Sequence, residues 1–69
     1  MRVSYKKLWV LLAQKEMSKA ELRKAAGIAA STLTKLNKNE YIALSILVKI
    51  CDALDCDFGD IMERVNQDE

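Results

Sequence analysis

The sequence predicts a compact all-α fold of five short helices, and three observations carry that expectation. Apolar residues make up 51% of the chain and recur at three- and four-residue spacing. Proline is absent, so no residue interior to a run forbids helical backbone. Stop signals, first Gly27 and then Asn37-Lys38-Asn39, fall between the periodic runs.

The helices follow in order. The first is expected from about Tyr5 to Lys15, with Leu8, Leu11 and Leu12 on its inner face and Trp9 at the rim. The second starts at Ser18, where Ser18 and Glu21 form a capping box that satisfies two orphan backbone donors. Leu22, Ala25 and Ala26 give it a buried stripe, and Gly27 ends it in a left-handed turn. Ile28 plugs that turn. A third helix is expected over about 30–37, with Ala26, Ala29, Leu33 and Leu36 inside. The fourth spans about Leu44 to Leu54, with Leu44, Leu47, Ile50, Cys51 and Leu54 inward. Asp57 should cap a fifth, with Asp60 at its third position and Phe58, Ile61, Met62 and Val65 as its apolar residues. Residues 66–69 are expected to fray.

A chain of 69 residues is expected to form one domain, residues 1–69. Its apolar runs are too short to span a bilayer. The basic start, Met1 to Lys7, is followed too soon by Lys15 and Glu16 for an export signal, so a cytoplasmic protein is expected. Cys51 and Cys56 have no histidine to join them. Zinc would need carboxylates to complete its shell, which is poor chemistry. Packing is the favoured role for both cysteines, with a disulfide or metal as the lesser alternative. No metal or cofactor is expected. An enzyme is not expected either, because the cysteines lack a base and the carboxylates are scattered.

The net charge of +1 conceals a polarity. Residues 1–38 carry nine lysines and arginines against Glu16 and Glu21, a surplus of seven positive charges. Residues 39–69 carry Lys49 and Arg64 against eight carboxylates, a surplus of six negative ones. Solvated helix faces would account for isolated charges. An imbalance on this scale is the footprint of a domain that binds a polyanion through one half.

The informative stretch is Lys19 to Asn39. Two short helices flank a turn containing Gly27. The outer side of the second carries Ala30, Ser31, Thr34, Lys35 and Lys38, which share one stripe. Short side chains beside lysines suit a helix that enters a major groove about 12 Å wide.

The segment SKAELRKAAGIAASTLTKLNKNE resembles the helix-turn-helix of the phage repressor and Cro family, the xenobiotic-response-element class. YKKLWVLL, STLTKLNKNE and LVKICDALDCDFGDIME are similar to short stand-alone bacterial regulators of that class. The resemblance implies a five-helix lambda-repressor-like DNA-binding domain that contacts double-stranded DNA and regulates transcription. It implies base contacts from Ser31 and Lys35, with Ala30 and Thr34 flanking. It implies phosphate contacts from Lys19, Thr32 and Lys38. It also implies a homodimer through Phe58, Ile61, Met62 and Val65, although the same four residues would equally serve to close a small core.

Three departures from the family pattern stand out. Arg23 replaces the usual alanine of helix two. Ala29 and Ala43 occupy N-cap positions where hydroxyls are usual. The reading stripe lacks Arg, Asn and Gln, which weakens bidentate base reading and leaves more to DNA shape and water. A second expectation stays open beside DNA binding: a protein-interaction module on the same fold, antitoxin-like or anti-repressor, binding through its acidic side.

Overall fold

The computed structural model describes residues 2–66. In chain order these form β1 (Arg2–Ser4), α1 (Lys6–Gln14), α2 (Lys19–Ala26), α3 (Ala30–Asn37), α4 (Leu44–Leu54), a single 3-10 turn (Phe58–Asp60) and β2 (Glu63–Val65). The first four expected helices are present within a residue of their expected ends. The frayed-tail expectation for 67–69 lies outside the described residues.

All four helices stop in the same way. A left-handed residue follows each one: Glu16 (φ 55°), Gly27 (φ 67°), Asn39 (φ 57°) and Asp55 (φ 52°). The next residue then donates its N–H five positions back: Met17 to Leu12, Ile28 to Arg23, Glu40 to Lys35 and Cys56 to Cys51, at 2.9–3.1 Å. This is the long bond of a Schellman motif, which satisfies carbonyls the helix leaves orphaned. Glu16 and Asp55 hold this geometry with a Cβ, at a cost of about 1–2 kcal/mol each.

Helix starts are uneven. Ser18 accepts the Glu21 N–H while Glu21 accepts the Ser18 N–H, the full capping box. Ala29 and Ala43 do occupy the N-cap positions of α3 and α4, and neither side chain makes a cap bond.

The fifth helix is corrected. Asp57 and Asp60 form their reciprocal cap, but only Phe58–Asp60 is wound, as one 3-10 turn. Beyond it the chain extends, and β2 pairs antiparallel with β1 in the register Arg2↔Val65, Val3↔Arg64, Ser4↔Glu63. Its backbone groups bond to a strand at the other end of the chain instead of to the preceding turn. The fold is therefore mostly helical with a two-stranded sheet, not all-α.

The core gathers Tyr5, Leu8, Leu12, Leu22, Ala26, Ile28, Leu36, Leu47, Ile50, Cys51, Leu54 and Ile61. Three expected inward residues are exposed: Ala25, Ala29 and Leu44. Ala29 precedes α3 and Leu44 opens α4, so each lies before its helix's face turns inward. Ala25 lies one position before the buried Ala26, off the inner stripe. Tyr5 fastens α1 to the segment after α3. Its N–H donates to Asn39 Oδ1 (3.0 Å) and its hydroxyl donates to the Glu40 carbonyl (2.8 Å). Among the described residues no helix is long and apolar enough to cross a membrane.

Candidate nucleic-acid interface

The site is built from α2, the Gly27 turn and α3. The turn is tight because Gly27 adopts φ 67° and Ile28 drops into the core immediately after it. Leu36 is fully buried and Leu33 packs against the core, which fixes α3 about its axis. That rotation leaves Ala30, Ser31, Thr34, Lys35 and Lys38 exposed, as the stripe requires, with Thr32 half-buried at its edge.

The polar groups of this face are partly committed. Thr34 Oγ1 donates to the Ala30 carbonyl (3.2 Å), so its proton is used within the helix. Its methyl group and hydroxyl lone pairs remain for a ligand. Lys19 is held on two sides. Its Nζ donates to Asn37 Oδ1 at 2.7 Å and stands 4.2 Å from the centroid of the Trp9 ring. A cation over an indole face is attracted by the ring quadrupole. The first residue of α2 is thereby tied both to α1 and to the last residue of α3. Spacing could not have revealed this arrangement, because Trp9, Lys19 and Asn37 sit on three different helices. Arg23 is half-buried.

The residues expected at a dimer contact divide. Ile61 is 0% exposed in the single chain, so its side chain has no surface left for a second copy. Its role is to close the core. Phe58 and Met62 are half-buried, and they line a shallow apolar groove with Val3 and Tyr41. Val65 is half-buried on β2, opposite Arg2. Cys51 is buried, as packing requires, whereas Cys56 is only half-buried; both thiols are free.

Comparison with known proteins bears on this geometry. The profile of the Cro/C1-type HTH DNA-binding domain matches residues 7–67. A curated relative, the uncharacterized HTH-type transcriptional regulator YozG of Bacillus subtilis (strain 168), is 45% identical over 56 residues, covering 78% of this chain and 67% of its own. The crystal structure of the transcriptional regulator VanUg superposes with a TM-score of 0.92 at 53% identity, over 96% of this chain and 88% of that one. The match spans most of the chain, and the chain belongs to the Cro/C1-type HTH DNA-binding domains.

Proposed function

We propose that this protein is a cytoplasmic transcriptional regulator that binds double-stranded DNA by placing α3 in the major groove. The observation that carries the reading is the exposed α3 stripe, with short side chains beside its lysines and Lys19 already fixed in position next to it. Ser31 and Lys35 meet base edges, with Ala30 and Thr34 allowing close approach. Lys19, Thr32 and Lys38 hold phosphates on either side. Lys35 has donors only, so guanine O6 or N7 is its natural partner. No residue is assigned a catalytic role, and the reading needs no cofactor.

The active form is a dimer, joined across the apolar groove of Phe58 and Met62, with Val65 on the adjoining strand β2 as a further contact. Two copies related by a two-fold axis would read two half-sites. The relatives' descriptions as transcriptional regulators agree with this reading. The acidic half of the chain favours one alternative, a protein-interaction module.

Selection of binding sites from random double-stranded DNA tests both. A selected motif with two symmetric half-sites supports the proposal. Failure to retain any DNA at low salt removes it and leaves the interaction module.

A further inference from the structure

The end of α4 holds a pair of thiols that the DNA-binding reading does not use. Asp55 turns left-handed (φ 52°, ψ 55°), and the Cys56 N–H donates to the Cys51 carbonyl at 3.0 Å. In a Schellman motif the residues joined by this bond are the ones whose side chains meet. Elsewhere in the chain that place is taken by Leu12 and Met17. Here both positions are cysteine, Cys51 within the core cluster and Cys56 packed against it. Cys51 is 8% exposed, while Cys56 opens onto a surface groove that also holds Lys15 and Asp60. One thiol is thus anchored in the core and the other is reachable.

We propose that Cys51 and Cys56 form a two-thiolate site for a single soft cation of the kind satisfied by two sulfur ligands, such as Cu(I) or Hg(II). Thiolate selects such ions. A two-coordinate ion needs no third protein ligand, and no group of three or more His, Cys, Asp or Glu ligands stands together among the described residues. The cation displaces one proton from each thiol, because a coordinating thiol is deprotonated outright. Two S–H bonds break, two S–metal bonds form, two protons leave to solvent, and no electron is transferred. A divalent ion leaves the site neutral. A monovalent ion leaves one negative charge beside Lys15, whose charge already acts on the Cys56 thiol. The backbone turn joins the two cysteines before the ion arrives, so the second bond forms as an intramolecular step. The bound ion staples the last turn of α4 to the segment that leads into the 3-10 turn.

The test uses the full chain, reduced and free of metal, titrated anaerobically with Hg(II) in one arm and chelator-buffered Cu(I) in the other. Ultraviolet sulfur-to-metal absorption, proton release and native mass are read together. The expected result is one ion per chain with two protons released, and an upward shift of the thermal midpoint. Cys56→Ser, whose fold is checked by circular dichroism, should bind about 10²–10⁴-fold more weakly, the advantage of holding two ligands together. Uptake in only one arm assigns the site to that ion. Unchanged affinity in Cys56→Ser, an ion shared between two chains, or no uptake by a chain with two titratable thiols would each overturn the proposal.

Discussion

Asn39 Oδ1 accepts the backbone N–H of Tyr5 across 34 positions of sequence. The same asparagine holds φ 57° at the end of α3, so one residue both stops α3 and anchors the start of α1. The two duties can be separated. Asn39→Gly keeps the left-handed turn and loses the amide, and should cost about 1 kcal/mol. Asn39→Ala loses both and should cost roughly 2–3 kcal/mol. Tyr5→Phe, which removes the donor to the Glu40 carbonyl, should cost about 1 kcal/mol. Denaturant titration checks all three. Equal losses for Asn39→Gly and Asn39→Ala would show that the backbone conformation carries no strain.

The bare N-caps offer a gain in stability. Ala29 has extended backbone (φ −75°, ψ 156°) and Ala43 is similar (φ −55°, ψ 138°), without a cap bond in either case. Ala29→Ser and Ala43→Ser should each stabilise the fold by about 0.5–2 kcal/mol. A thermal midpoint unchanged or lowered for both would refute the assigned helix starts.

Lys19 and Lys35 should fail differently. Lys19→Ala is expected to weaken binding to all DNA sequences alike and to reduce the log–log salt slope by about one. It should also alter Trp9 fluorescence, because the ammonium lies over that ring. Lys35→Ala should leave the fluorescence unchanged, cost about 1–3 kcal/mol on the selected site and relax preference at one base. Ser31→Ala should act on a neighbouring base. If Lys35→Ala loses affinity equally on selected and scrambled DNA, its role is phosphate binding.

The proposed dimer contact predicts a contrast within one segment. Phe58→Glu and Met62→Glu should weaken self-association in sedimentation while keeping helicity. Ile61→Glu should unfold the chain, since a charge would enter a fully buried site. Half-sites in the selected DNA should then lie about 34 Å apart. A monomer mass for the parent chain at high micromolar concentration would remove the dimer.

Stability should fall on the alkaline side. Burial pushes the Cys51 thiol from its ordinary 9.0 up to about 11, helped by Cys56, Asp57 and Asp52. Burial also raises the Tyr5 phenol above its ordinary 10.0, opposed in part by a backbone hydrogen bond at Ile42. Both groups are protonated in the fold, so their contribution is complete below those ordinary values. It is lost as pH rises, between about 9 and 11 for Cys51 and above 10 for Tyr5. Urea midpoints measured from pH 7 to 11 should decline over that window, and less steeply in Cys51→Ala. On the acid side Glu21, held below its ordinary value by the Ser18 backbone N–H and side chain, loses its part of the capping box as pH falls.

What the sequence disclosed was local. Ser18 with Glu21, Gly27, and the 3–4 spacing of the leucines act within a turn or two, and each could be read directly. The α3 stripe was legible for the same reason, because helical geometry alone sets which residues share a face. The sheet was not legible: Phe58, Ile61, Met62 and Val65 have helical spacing, and the strand that wins Val65 stands at the other end of the chain. Lys19 shows the same limit at the site. Its position opening α2 could be read, but its partners Trp9 and Asn37 are brought to it only by packing.

The pairing of Arg2 with Val65 has a kinetic meaning. It fastens almost the full length of the polypeptide into a ring with a three-residue seam. The closure entropy of so long a loop must be paid before its few ladder bonds return anything. The helices are therefore expected to assemble first and the seam to close last. The same seam is the first place to open, so the amides of residues 2–4 and 63–65 should exchange with solvent well ahead of those of α4.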